Sequence, residues 1–110
     1  MPVSSVKEFM ESVLPAKLMD PEKLKGLDFD LQFNIGGEAG GDWVLSIHNQ
    51  KAEVRTGTVE GAKIILKMKD TDYVNLVNGQ LSGQKAFMTG KLKFKGDMNL
   101  GMKLQKLGII

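Results

Sequence analysis

Apolar and polar side chains alternate in four short runs between Leu27 and Lys69, the period of a strand with one face in a core. Phe29, Leu31, Phe33 and Ile35 alternate with Asp28, Asp30, Gln32 and Asn34, which predicts a first strand with a wet polar face. Trp43, Leu45 and Ile47 form the inward set of a second. Ala52 and Val54, with Lys51, Glu53 and Arg55 facing out, form a third. Asn49-Gln50 between them predicts a hairpin turn. Ala62, Ile64, Leu66 and Met68 alternate with Lys63, Ile65, Lys67 and Lys69 in a fourth run, and Lys91-Leu92-Lys93-Phe94-Lys95 gives a fifth.

The intervening segments carry helical signals. Ser5-Val6-Lys7-Glu8 fits a capping box, followed by Val6, Phe9, Met10, Val13 and Leu14 at helical spacing. Pro15 should disturb that helix, because it has no N–H and crowds the preceding turn. Asp20-Pro21-Glu22 predicts a short helical turn that Gly26 ends. Asp70 is placed to cap a helix carrying Tyr73, Val74, Leu76 and Val77 up to Gly79, and Ser82 a shorter one containing Ala86 and Phe87 up to Gly90. The predicted fold is α+β: a five-stranded, mostly antiparallel sheet covered on one face by helices.

The terminal segment from Asp97, a candidate N-cap, has two apolar sides. At about 100° per residue, Met98, Met102 and Ile109 fall on one side of a helix and Leu100, Leu104 and Leu107 nearly opposite. Both sides cannot lie on one core. The second calls for a partner, a membrane or a bound apolar molecule. Alternation from Met98 to Leu104 leaves a strand open as well.

Composition narrows the chemistry. With 110 residues and no repeat or low-complexity tract, one domain spanning 1–110 is expected. Cysteine is absent and there is a single histidine, so a cysteine metal site and the usual His-rich zinc site are unavailable. A formal charge of +2 with one arginine does not point to nucleic acid. No apolar run approaches the roughly 20 residues of a membrane span. The N-terminus lacks a secretory pattern, and a cytoplasmic protein is expected.

Candidate polar sites are weak. Gly36 to Gly41 lacks the Lys-Ser/Thr ending of a P-loop and the spacing of a dinucleotide fingerprint, which favours a hairpin connection. His48 stands at a strand end, where a solvated side chain is the simpler reading. Asp28 and Asp30 share a strand face, but no third partner can be placed beside them. Asp28, His48 and Asp70 are expected to share no catalytic centre, and no enzyme activity, cofactor or metal is expected. The lysines at 91, 93 and 95 could meet anionic lipid headgroups, although a solvated strand face predicts the same pattern.

Ser82-Gly-Gln-Lys-Ala-Phe-Met-Thr-Gly-Lys-Leu-Lys-Phe-Lys-Gly96, followed by Asp97-Met-Asn-Leu-Gly-Met-Lys-Leu-Gln-Lys-Leu107, resembles the C-terminal signature of the sterol carrier protein 2 family. Gly36 to Trp43 is similar to the family's Gly-rich loop and Trp-bearing strand, and Asp70 to Leu81 to its Asp-x-Asp helix and the loop after it. The resemblance covers 27–107. It implies helices and sheet around an apolar cavity, with binding and transfer of fatty acid, fatty acyl-CoA, phospholipid or sterol and no chemistry. It places Phe87, Met88, Leu100, Met102, Leu104 and Leu107 at or near the cavity, with Trp43, Tyr73, Leu76 and Val77 as further candidates. Transient membrane contact is compatible with such a carrier. The chain departs from the family's eukaryotic member in stopping at Gly108-Ile109-Ile110 without a peroxisomal tripeptide. It is also expected to stand alone, without an attached thiolase or dehydrogenase domain. A cytoplasmic carrier is therefore expected. The alternative is an accessory or dimerisation module whose apolar face meets a protein.

Overall fold

A computed structural model describes residues 3–110. The chain opens with one continuous helical run over 6–17. It comprises an α-turn Val6–Glu8 (α1), a π-helical stretch Phe9–Val13 and a second α-turn Leu14–Lys17 (α2). Pro15 disturbs the run, as the sequence leads one to expect, without ending it. The Leu14 N–H reaches back five residues to the Phe9 carbonyl, and this wider turn accommodates the proline at the start of α2. Ser5 Oγ accepts from the Glu8 N–H at 3.1 Å as a capping box requires. The Glu8 carboxylate, however, accepts from the Ser4 hydroxyl at 2.8 Å and the Ser4 N–H, one residue earlier than predicted. A 3-10 turn, Pro21–Leu24, follows and is capped by Asp20.

The strands are β1 (Phe29–Gly36), β2 (Gly41–His48), β3 (Lys51–Thr56), β4 (Ile64–Lys69) and β5 (Lys93–Gly96), in the sheet order β3-β2-β1-β4-β5. Asn49 and Gln50, both at positive φ, make the two-residue turn between β2 and β3. All neighbours are antiparallel except the central pair, where β1 and β4 run parallel with Phe33 opposite Leu66. The fifth strand is shorter than the alternation suggests and begins at Lys93.

Between β4 and β5 lie α3 (Asp70–Val77) and α4 (Gly83–Met88); α5 (Met98–Lys106) follows β5. Ser82 and Asp97 cap α4 and α5 as predicted, accepting from the Lys85 and Asn99 N–H groups. Asp70 is one residue off. Lys69 occupies the cap position, and Asp70 instead accepts from its neighbour Thr71 N–H and from Ala39 N–H at 3.0 Å, tying the Gly-rich loop to α3.

The inward residues of the strands join Phe9, Met10, Leu14, Tyr73, Leu104 and Ile109 in one core. Tyr73 meets the rings of Phe9 and Phe33 edge-on, and its hydroxyl donates to the Ile109 carbonyl at 2.9 Å. Burial pushes the Tyr73 phenol far above its ordinary range, so it stays a donor.

The opposite sheet face is not uniformly wet. Gln32, predicted to face water, is only 5% exposed, and its register partner Val44 is fully buried. Both lie beneath the connection from β3 to β4, which must cross β2 and β1 to reach its place in the sheet. Gln32 Nε2 donates to the carbonyls of Gly57 and Trp43 at 3.1 Å, and its Oε1 accepts from the Val59 N–H at 2.9 Å. Gln32→Ala would leave the Gly57 carbonyl and Val59 N–H without these partners, at a cost of about 1–3 kcal/mol. Urea denaturation should show that loss, and amide exchange should accelerate at Val59 before it does in β1.

An apolar cleft beside the C-terminal helix

The two sides of α5 diverge as the sequence requires. Leu104 is fully buried, and Leu100 and Leu107 pack half-buried against the core. Met98 and Met102 are 59% and 61% exposed on the other side. Ile109 does not join them. The helix ends at Lys106, Gly108 takes a positive φ, and Ile109 turns back into the core with its carbonyl on Tyr73.

The methionine side borders a cleft of about 320 Å³ between α4, β5 and α5. Gly83, Gln84 and Phe87 contribute from α4, Leu92 and Phe94 from the approach to β5 and the strand itself, and Met98, Gly101, Met102 and Gln105 from α5, with Ile110 closing one end. The wall is mostly apolar, with Gln84 and Gln105 as its amide groups. Phe94 faces inward because it sits opposite Leu66 in the β4–β5 register. Gly101 lets α5 approach that ring, since a Cβ there would come within 2.9 Å of Phe94 Cζ.

This wall differs from the one the family resemblance implies. Of the six residues placed at or near a cavity, Phe87 and Met102 line the cleft. Met88 is 77% exposed outside it. Leu104 belongs to the core, Leu100 packs on the core, and Leu107 faces a different recess. Trp43, Tyr73 and Leu76 are core residues and Val77 packs against them; none of the four lines the cleft. They share the core with Ala86 of α4 and Leu104 of α5, on the inner side of those helices. Met98 shares its helical stripe with Met102, which was the available signal for it. Gly101 and Phe94 carried no comparable signal, because their juxtaposition depends on where α5 lands.

The polar candidates fall at two separate places. Asp70 holds the Gly-rich loop, whereas His48 lies between Asp28 and Asp30, with Nδ1 on Asp28 and Nε2 at 3.1 Å from Asp30. Asp28 and Asp30, each bonded to the imidazole, hold the His48 pKa above its ordinary 6.5. Hydrogen bonding from Ser46, followed by His48, holds Asp30 below its ordinary value. Among the described residues, no three His, Cys, Asp or Glu side chains are placed to hold a metal ion.

Two measurements follow from this geometry. Leu104→Ala removes a fully buried side chain and should cost about 2–5 kcal/mol in denaturant stability. Met102→Ala should cost less than about 1 kcal/mol, because the side chain already borders open space. The imidazole bridge has a definite pH sign. Its stabilisation is complete below pH 6.5 and is lost as pH rises through the raised native pKa of His48. Urea midpoints measured from pH 6 to 9 should therefore fall more in the parent than in His48→Gln, and parallel curves would exclude a contribution from the bridge.

Known proteins share both the sequence and the architecture. Hydroxysteroid dehydrogenase-like protein 2 of Xenopus tropicalis is 36% identical over 91 residues, covering 82% of this chain. The chain spans only 22% of that relative's length. The solution structure of sterol carrier protein domain 2 of Helicoverpa armigera is 31% identical, with a TM-score of 0.79 over 94% of this chain and 84% of that one. Palmitated SCP2L2 from Aedes aegypti shares the fold at 23% identity and a TM-score of 0.74, over 96% and 95% of the two chains. The model of the SCP-2 sterol transfer family matches residues 9–108, nearly the whole length, and the chain belongs to that family.

Proposed function

We propose that this chain binds an apolar lipid in the cleft between α4, β5 and α5 and moves it between sites without altering it chemically. The observation that carries the reading is the wall itself: Phe87 of α4 and Met98 and Met102 of α5 stay 46–61% exposed around a recess of about 320 Å³, while Leu104 of α5 is fully buried. Leaving three large apolar side chains in water forgoes their burial, and an occupant of the cleft would recover it. Methionine suits such a wall because its unbranched thioether adapts to different ligand shapes. The volume sits at the lower end of the 300–1,000 Å³ range of small-molecule pockets, which favours a single acyl chain as the buried part of the cargo. The palmitate carried by the Aedes aegypti protein of this fold is consistent with that class of cargo.

No helix of the described residues is long and apolar enough to cross a membrane. A carrier acting in the cytoplasm, as one SCP2-like unit, is part of the same proposal.

Native mass spectrometry after gentle purification, followed by lipid extraction, should find one fatty acid, acyl-CoA, phospholipid or sterol per chain. Met102→Ala and Phe87→Ala should each weaken fatty-acid binding by about 1 kcal/mol, near fivefold, through lost apolar contact. If every one of those lipid classes fails to bind while a protein partner covers Met98 and Met102, the accessory-module reading replaces the carrier.

A further inference from the structure

Besides its core and cleft sides, α5 has a flank that faces a second recess, of about 640 Å³, where the helix ends against α2 and the turn at Pro21–Leu24. Five lysines line it: Lys17 from α2, Lys23 and Lys25 from the turn and the residue after it, and Lys103 and Lys106 from α5. No acidic side chain shares the lining, and among the described residues none of the five forms an ion pair. The chain's formal charge is only +2, so this is a local concentration of charge and not a general basicity.

Lys17 is held in position. Its Nζ donates to the Gly108 carbonyl at 3.4 Å and stands 5.7 Å above the Phe9 ring. Gly108 has a φ of +76°, and a Cβ there would lie 2.7 Å from that ammonium. The wall is bare where the charge sits. Leu27 and Leu107 add apolar surface to the recess, which raises the strength of any ion pairing beside it.

A simpler role covers part of this. Lys103 and Lys106 occupy the last turn of α5, where cations complement the helix dipole. The dipole does not account for Lys17, Lys23 and Lys25 converging on the same recess from two other segments. Like charges around one recess repel; with no carboxylate in the lining, that repulsion is offset by screening salt or, more fully, by a bound anion. Ammonium groups bind phosphate as point charges, so a compact polyanion fits this arrangement without a guanidinium fork.

We propose that the lysine recess is a binding site for a phosphate-bearing group with two or more negative charges. A soluble phosphate ester and the headgroups of an anionic membrane present the same chemistry, and the site lies apart from the apolar cleft, on a different flank of α5. The proposal does not depend on the lipid reading.

The test uses the full chain at low salt, titrated with inorganic pyrophosphate and followed by amide chemical shifts. A second arm measures cosedimentation with phosphatidylcholine vesicles, with and without phosphatidylserine. Shifts should saturate together at Lys17, Lys23, Lys25, Lys103 and Lys106, with affinity falling as salt rises. K23Q/K103Q/K106Q should weaken anion binding by about tenfold or more, leave fatty-acid affinity within about twofold, and be at least as resistant to urea at low salt because repulsion is removed. K23Q alone, at an exposed turn, serves as the second variant if the triple one folds poorly. Binding of pyrophosphate identifies a soluble ester as a competent source; lysine-dependent binding of phosphatidylserine vesicles alone identifies the membrane. Loss of neither interaction in the variants, shifts centred on Lys67 and Lys93 instead, or no binding in either arm would overturn the proposal.

Discussion

The crossing of the β3–β4 connection over the sheet is the constraint on which the other parts depend. A plain meander would place β4 beside β3. Here the chain returns across β2 and β1, and β4 pairs parallel to β1. A loop lying on a sheet face has backbone groups that need partners, and Gln32 supplies two of them from the central strand. Lys63 N–H on Asp30 carbonyl and Gly57 N–H on Asp42 carbonyl hold the two ends of the same crossing. Because β4 lies next to β1, β5 pairs with β4 at the edge opposite β3, and α5 leaves directly from that edge. The apolar cleft therefore lies where the crossover puts β5, and Gln32 helps hold that crossover on the far side of the sheet.

A nine-residue helix such as α5 is too short to persist alone in water. Its order comes from packing: Leu104 in the core, and the Tyr73 hydroxyl holding the tail after the helix through Ile109. These contacts leave the methionine side free to remain exposed without loss of the helix. The division of labour follows from a short amphipathic element with more apolar residues than one core can absorb.

Much of the architecture could be read from local signals. Alternation located all five strands, and Ser5, Asp20, Ser82 and Asp97 marked helix starts because capping involves residues two or three apart. Alternation reports which face a residue takes but not which strand lies beside it. The parallel β1–β4 pair, the burial of Gln32 and the meeting of His48 with Asp28 and Asp30 all depend on pairings that no short window contains. At the cleft, helical geometry separated Met98 and Met102 from Leu100 and Leu104, yet the choice of core side awaited the path of the chain into and out of α5. Ile109 shows the limit: the helical wheel was extended past Gly108, where the helix has already ended.

Gly101 brings these levels together. A glycine inside a helix is destabilising by roughly 0.5–1 kcal/mol relative to alanine, and in a helix this short that is a sizeable handicap. Its backbone does not use a positive φ, so conformational freedom is not the reason for its presence. The reason is space: the Phe94 ring occupies the position a Cβ would need. Moving the helix outward to admit a methyl group would draw Leu104 from the core, while keeping the helix in place would push the ring towards the cleft. The sequence accepts a weaker helix, and the close approach of Gly101 to Phe94, both in the wall of the cleft, lets Leu104 stay seated. Helix propensity, core packing and cleft shape meet at this residue, and packing prevails because the ring and the leucine together bury far more apolar surface than one methyl group.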